Sequence, residues 1–341
     1  MSNKRPRDST DDARDTRDAK IARKRLPYPK KYDPDPVTNK LFKPDATVVV
    51  QGRRRTGKST FVTEMLLRRR RLYPKIFMFT GTKRNNYWQQ YLPVHKIAEG
   101  LDDDLLGELI ELNSARYEQW KIEWERTGKV RGNPLTLFVF EDLVAEKILR
   151  QAPHLETATM NGRHHGVPCY IMAQVIVGLT PNQRDNIDEW VFFRPDDQRT
   201  PNMIRETFGD DVLEVAKRVW KDGRAFIINT APRLPIEERM FWYESDRDYI
   251  KQMTHRNVVL CNKQWWGEHD IKEQKKRYPY KELPSTATLI GEFNNSVVNK
   301  DGDVEDEDTM PNVGVEHDKK DDEKEESAKK IEVHVVEKPN F

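Results

Sequence analysis

Eight consecutive residues carry the clearest chemistry in the chain: Gly52, Arg53, Arg54, Arg55, Thr56, Gly57, Lys58 and Ser59. They fit the pattern G-x-x-x-x-G-K-[ST], followed by Thr60, and sit between an apolar run and a helical one. Glycines at those spacings let the backbone turn tightly, so that its N–H groups and the following helix N-terminus surround phosphates. In such a cradle Lys58 reaches the β- and γ-phosphates of ATP and the Ser59 hydroxyl ligates Mg²⁺. Arg53, Arg54 and Arg55 are unusual in the loop. They face a neighbouring subunit, a polyanion, or only solvent.

Hydrolysis needs a carboxylate on a nearby strand to hold the metal and a group to orient water. The segment FVFED, 138 to 142, ends an apolar strand in Glu141 and Asp142. The usual order starts with aspartate at the metal side. Here Glu141 takes that position, its extra length suiting contact through a bridging water, and Asp142 takes the base position. The plainer alternative is two ordinary acids at a strand end. Gln174 ends another apolar strand, where it faces the γ-phosphate as a sensor or is a glutamine satisfied by backbone.

The surrounding pattern supplies the elements to position these groups. Short β-branched or aromatic runs at 46–51, 75–80, 135–140, 168–175, 189–194 and 224–229 read as buried strands. Between them, 59–72, 101–127 and 153–164 have helical spacing. Alternation of this kind means βαβ crossovers and a mostly parallel sheet covered on both faces. The expected fold is therefore an α/β P-loop NTPase with an additional central strand, over residues 36–245. Trp265 and Trp266 belong to an expected helical extension over 246–295.

Of the 341 residues 36% are hydrophobic and 34% charged, which is polar for one globule. The net charge of +2 conceals a basic stretch over 1–31 and an acidic one over 301–330. Residues 1–35 read as a disordered basic arm and 296–341 as an acidic disordered tail, with IEVHVV (331–336) as a strand-like docking segment. The clusters Lys4, Arg5, Arg7 and Lys20, Arg23, Lys24, Arg25 fit a nuclear localisation signal, a phosphate-binding arm or a solubilising tail. Two cysteines exclude a disulfide framework, and no 18-residue apolar run or secretory leader is present, so an intracellular or virion setting is expected.

The segment NGRHHGVPCYIMAQVIVGLTPNQRDNIDEWVFF, 161 to 193, adds specificity. Its Asn161, Arg163 and His164, its strand with Gln174, and Arg184 followed by Asn186, Ile187 and Asp188 resemble the poxvirus-type genome-packaging ATPases of the FtsK–HerA superfamily. KIFMFTGT, with Asn85, Asn86 and Trp88 after it, resembles them too. The resemblance covers about residues 44 to 245. It implies ATP hydrolysis coupled to movement of double-stranded DNA into a capsid. It further implies a homo-oligomeric ring (a hexamer), contact with capsid or virion proteins, and residence in the virion or at the assembly site. An arginine from the adjacent subunit completes such a site, and Arg163 and Arg184 hold family-like positions; either is alternatively a structural partner of Asp185 or Asp188. Glu141 departs from the family, where aspartate is general.

Two other function classes compete: a viral replicative helicase and a non-catalytic nucleotide-binding assembly protein. His164, His165 and Cys169 match no familiar zinc spacing. Trp120, Trp124, Trp265 and Trp266 invite base stacking, but the helical spacing of Trp120 and Trp124 more often marks core or interface. Lys83-Arg84 and the run Arg68–Arg71 are candidate DNA-gripping charges, the latter also explained by a helix C-terminus.

Overall fold

The computed structural model describes residues 25–81, 87–129, 132–143, 152–174, 179–231 and 233–266. In chain order they form β1 (Lys30–Lys31), β2 (Thr47–Gln51), α1 (Lys58–Arg68), β3 (Lys75–Thr80), β4 (Ile97–Glu99), α2 (Asp103–Thr127) and β5 (Thr136–Glu141). Then come α3 (Pro153–Asn161), β6 (Cys169–Ala173), α4 (Pro181–Asp185), β7 (Glu189–Phe192), α5 (Arg199–Phe208) and α6 (Asp210–Lys221). The last are β8 (Ala225–Asn229), α7 (Ile236–Arg239), β9 (Met240–Tyr243), α8 (Arg247–His255) and α9 (Lys263–Trp266).

Among the described residues the strands make one sheet in the order β1-β9-β8-β7-β2-β6-β5-β3-β4. From β7 to β4 every pairing is parallel, whereas β8 runs antiparallel to both β7 and β9. The fold is α/β with a mostly parallel sheet. The strand β6 lies between the cradle strand β2 and the acid strand β5, which is the additional central strand.

Strand alternation decides which residues meet which helices. Val48 and Val50 of β2, Leu137 and Val139 of β5, and Tyr170 and Met172 of β6 share one cluster with Phe61, Val62, Met65 and Leu66 of α1. Val49, Phe138 and Ile171 point the other way, into a cluster with Leu105 and Leu109 of α2, Leu155 of α3, Ile204 of α5 and Val215 of α6. Strands buried on both faces need continuous apolar sequence rather than alternation, and that is what they have. The longest helix, α2, starts on Asp102, whose side chain accepts from the Leu105 N–H, and stops at Gly128 with φ +63°.

Several boundaries differ from expectation. The acid strand runs 136–141 rather than 135–140, so Glu141 belongs to the strand. The expected sixth strand, β8, is antiparallel. The short strands β1, β4 and β9 were not expected: each has only two to four residues, too few for a periodic signal. The arm expected to be unfolded through residue 35 is folded at its end. Lys30 and Lys31 pair with β9, and Tyr32 is buried. Its hydroxyl donates to Glu189 at 3.0 Å and accepts from Arg69 at 2.8 Å.

That contact also corrects the reading of Arg68–Arg71 as a gripping run. Arg69 is 1% exposed, donates to the Tyr170 hydroxyl at 2.6 Å and lies 4.0 Å from the Phe42 ring centre. Burial of its charge is offset by Glu189 and by these acceptors. Arg68 is held by Glu64 at 2.9 Å. Lys83-Arg84, residues 1–24 and 331–336 lie outside the described residues.

Beyond 245, Asp246 caps α8, accepting from the Tyr249 N–H, and its own N–H donates to Glu64 of α1 at 2.8 Å. Trp265 and Trp266 are buried. The Trp265 ring meets Phe77 edge-on at 5.0 Å and its N–H donates to Ile76 O, which removes both from any base-stacking role. Trp120 and Trp124 differ: their rings lie parallel, 5.8 Å apart, and Trp124 is exposed. Among the described residues no helix is long and apolar enough to cross a membrane.

Candidate nucleotide-binding and catalytic site

The cradle loop leaves β2 at Gln51 and enters α1 at Lys58. It starts beside β6, because the Gly52 N–H donates to Ala173 O at 3.0 Å. A Cβ on Gly52 would stand 2.6 Å from Thr56 Oγ1 and 2.8 Å from Phe193 Cβ, so the first glycine of the motif is forced by close approach. Gly57 has φ +106°, a conformation L-residues rarely adopt. Arg55 adopts φ +63° without being glycine, so the loop stores backbone strain. Thr56 Oγ1 donates to Arg53 O at 2.8 Å.

The three arginines part ways. Arg53 pairs with Asp196 at 2.8 Å and lies 3.9 Å from Asp197, so its charge is spent within its own chain. Arg54 and Arg55 are exposed. Lys58 is buried, and its ammonium donates to Gly52 O at 2.6 Å and Arg53 O at 3.1 Å. Burial lowers its pKa, while the nearby carboxylates of Asp142 and Glu141 oppose that shift. The lysine is thus folded across its own loop, where phosphate oxygens would replace two carbonyl acceptors. Thr60 follows in the first turn of α1.

Glu141 continues the alternation of Leu137 and Val139 toward the α1 face. There Ser59 Oγ donates to its Oε1 at 3.2 Å, while Thr80 Oγ1 and Trp88 Nε1 donate to Oε2 at 3.1 and 2.9 Å. The side chain is 5% exposed. Burial pushes its pKa up; the bonds from Trp88, Thr80 and Ser59 pull it back, and Asp142 adds to the rise. Next in sequence, Asp142 has φ +52°, and its N–H donates to Met172 O of β6 at 3.0 Å. Its Oδ1 is buried with no hydrogen-bond partner among the described residues. A buried carboxylate oxygen without a donor is costly, and a bound water is the natural complement.

These donors fit a magnesium ion. Ser59 Oγ and Glu141 Oε1 are hard oxygens close together, and Mg²⁺ takes one or two protein oxygens with phosphate and water making up the rest. No group of three His, Cys, Asp or Glu is placed to make an all-protein metal cage among the described residues.

Gln174 directly follows β6 and lines a small cleft with Gln51, Gly52, Arg53, Phe193 and Thr200. Sequence reasoning missed Gln51. Its Nε2 donates to Thr200 Oγ1 at 2.6 Å, and its Oε1 is buried without a partner among the described residues. It also missed the two donors to Glu141, for which only the polar end of β3 gave any signal.

Arg163 and Arg184 stand elsewhere. Arg163 is exposed on the 3₁₀ turn 162–165 that precedes β6. Arg184 is half-buried in α4, ahead of β7, with its Nε unpartnered among the described residues. Asp188, just ahead of β7, accepts from the Thr47 N–H at 2.9 Å; burial raises its pKa, with Thr47, Lys43 and Arg163 opposing. All this lies at the amino edge of the parallel strands, while the cradle lies at the carboxyl edge. A five-residue strand spans about 16 Å. Neither arginine therefore meets the cradle of its own chain.

Comparison with known proteins gives three kinds of match. The family model described as Poxvirus A32 protein matches residues 36–220. Uncharacterized protein L437 of Acanthamoeba polyphaga mimivirus is 21% identical over 247 residues, covering 69% of this chain and 80% of the relative. Uncharacterized protein 015R of Frog virus 3 is 24% identical over 205 residues, covering 58% and 61%. Among solved structures, the genome packaging NTPase B204 from Sulfolobus turreted icosahedral virus 2 in complex with AMPPCP has a TM-score of 0.42. Its identity is 14%, over 60% of this chain and all of that one. The pCW3 conjugation coupling protein TcpA with ATPγS has a TM-score of 0.44 at 15% identity, over 62% and 64%. A model that spans more than half of the sequence, over a sheet that sets the cradle strand beside an inserted central strand, places the chain in the Poxvirus A32 protein family of packaging ATPases.

Proposed function

We propose that this protein is an ATP-hydrolysing motor that moves double-stranded DNA into a viral capsid. The observation that carries the reading is the meeting of Lys58, Ser59 and Glu141 across β2, β6 and β5 in a member of that family. The backbone N–H groups of 52–60 and the Lys58 ammonium bind the triphosphate. Ser59 and Glu141 would hold Mg²⁺, which would supply neutralising charge to the phosphates. Asp142 orients the attacking water through Oδ1, which has no partner among the described residues, and Gln174 senses the γ-phosphate from just past the end of the strand between.

Charge that spreads over the transferred phosphoryl group calls for a further cation. Arg163 or Arg184 supplies it from a neighbouring subunit, since each lies at the far edge of its own sheet. That requires a homo-oligomeric ring, with hexamer the expected size. Hydrolysis then alters how neighbours dock, and cationic loops grip the DNA backbone, which suits movement along any sequence. Capsid or virion proteins are the expected docking partners. The site of action is the virion or assembly site, with the host nucleus open to a chain bearing basic N-terminal clusters.

The test is ATPase turnover of the purified protein with and without duplex DNA, across salt, alongside its oligomeric state with MgATP. Turnover is expected to rise on adding duplex and to lose that rise as salt increases. Turnover indifferent to both overturns the motor reading. Strand displacement would favour a helicase, and absent turnover an assembly protein.

A further inference from the structure

The side chain at the metal-side position is one methylene longer than the aspartate expected there, and the structure shows what controls the extra length. A free glutamate turns about three side-chain bonds, and fixing it in one rotamer costs conformational entropy. In this chain the ordering is done by two donors on one oxygen. Thr80 Oγ1 and Trp88 Nε1 both reach Oε2, at 3.1 and 2.9 Å, and the carboxylate plane they set presents Oε1 to Ser59 Oγ at 3.2 Å.

The donors are themselves fixed. Thr80 ends β3, which pairs directly with β5, with Thr80 opposite Glu141 in register. Trp88 is fully buried, and the N–H groups of Tyr91 and Leu92 both donate to its carbonyl at 2.9 Å. Tyr87 beside it meets the indole edge-on at 5.1 Å and hydrogen-bonds Thr63 of α1 at 2.8 Å. One short turn therefore touches both the cradle helix and the acid strand. An indole N–H only donates, so it rewards a carboxylate oxygen and rejects a donor in its place. Held in a buried site, such bonds to a charged group are stronger than neutral ones.

We propose that Trp88 and Thr80 are positioning residues that pin Glu141 Oε2 so that Oε1 faces the metal beside Ser59, letting a glutamate work where the shorter acid is expected. The inference rests on the reading of Ser59 and Glu141 as the Mg²⁺ holders. Outer donors of this kind change metal affinity by about 10–100-fold when removed.

The experiment titrates Mg²⁺ against binding of a fluorescent ATP analogue, in the full chain and in Trp88→Phe and Thr80→Val, with EDTA as the metal-free arm. Trp88→Phe keeps an aromatic ring and drops the N–H; Thr80→Val keeps the shape and drops the hydroxyl. Each is expected to raise the half-saturating Mg²⁺ by about tenfold or more, to lower kcat with KM for ATP little changed, and to leave metal-free nucleotide affinity within about twofold of the parent. A double cycle of Trp88→Phe with Glu141→Asp should be far from additive, because the shorter acid already leaves the indole N–H behind. An unchanged Mg²⁺ curve in either folded variant, or an additive cycle, overturns the proposal. If the parent chain itself binds nucleotide with no response to Mg²⁺, the reading of the site fails instead, a result separate from any variant's behaviour.

Discussion

Lys58 and Glu141 at the carboxyl edge of the parallel strands are held very differently from Arg163 and Arg184 at the amino edge. At the carboxyl edge Lys58 and Glu141 are 7% and 5% exposed and tied to neighbours by hydrogen bonds. At the amino edge Arg163 is exposed and Arg184 half-buried, and Asp188 nearby in sequence is half-buried too. The difference teaches that the proposed phosphate-and-metal half of the site is preorganised within one chain, while the two arginines are not tied to it. Preorganised groups cost no reordering at the moment of reaction.

The largest expected effect comes from the inner edge. Lys58→Ala should lose ATP turnover to background while its melting temperature stays near the parent's, because that lysine gives up only two loop carbonyls. Retained turnover would break the comparison at once. Next come Arg163→Ala and Arg184→Ala, measured singly. One is expected to lower kcat by about 10³–10⁵ without weakening nucleotide binding. Mixing that variant with Lys58→Ala subunits should recover part of the activity, since some borders then pair an intact cradle with an intact arginine. No recovery on mixing would mean that the arginine acts within its own chain.

The smallest effect is on stability. Burial raises the Glu141 pKa above its unfolded value, so its contribution favours folding below the unfolded pKa and is lost as pH rises through the folded one. At neutral pH the ionised carboxylate is therefore a burden on the metal-free protein. Glu141→Gln is expected to melt a few degrees higher than the parent near pH 7–8, with the gain shrinking toward pH 4. Its hydrolysis should be lost. A variant no more stable at neutral pH would show that the bonds from Thr80 and Trp88 outweigh burial.

The cradle was legible because its residues are contiguous and its flanks change period from strand to helix. The inserted position of β6 was legible through the resemblance carried by 161–193, which extends far past the cradle. Contacts across long separations were not. Trp88 and Glu141 are 53 residues apart, and nothing in either segment says that an indole will end up beside that carboxylate. The four arginines from 68 to 71 are alike as letters, yet Arg69 is sealed in the core and Arg71 is exposed. Only helix phase and the aromatic acceptors of distant strands separate them. The end of the arm misled for a related reason: its polar residues enclose two tyrosines, and Tyr32 with the right acceptor was enough.

That tyrosine has a mechanical consequence. Tyr32 is joined through its hydroxyl to Glu189, the first residue of the strand next to the cradle strand, and through Arg69 to the end of α1. Tension arriving from the amino terminus is therefore delivered to β9 in shear and to the root of β7, not to a slack tether. Whatever hangs from the front of this chain is moored to the same girder that carries the phosphate loop.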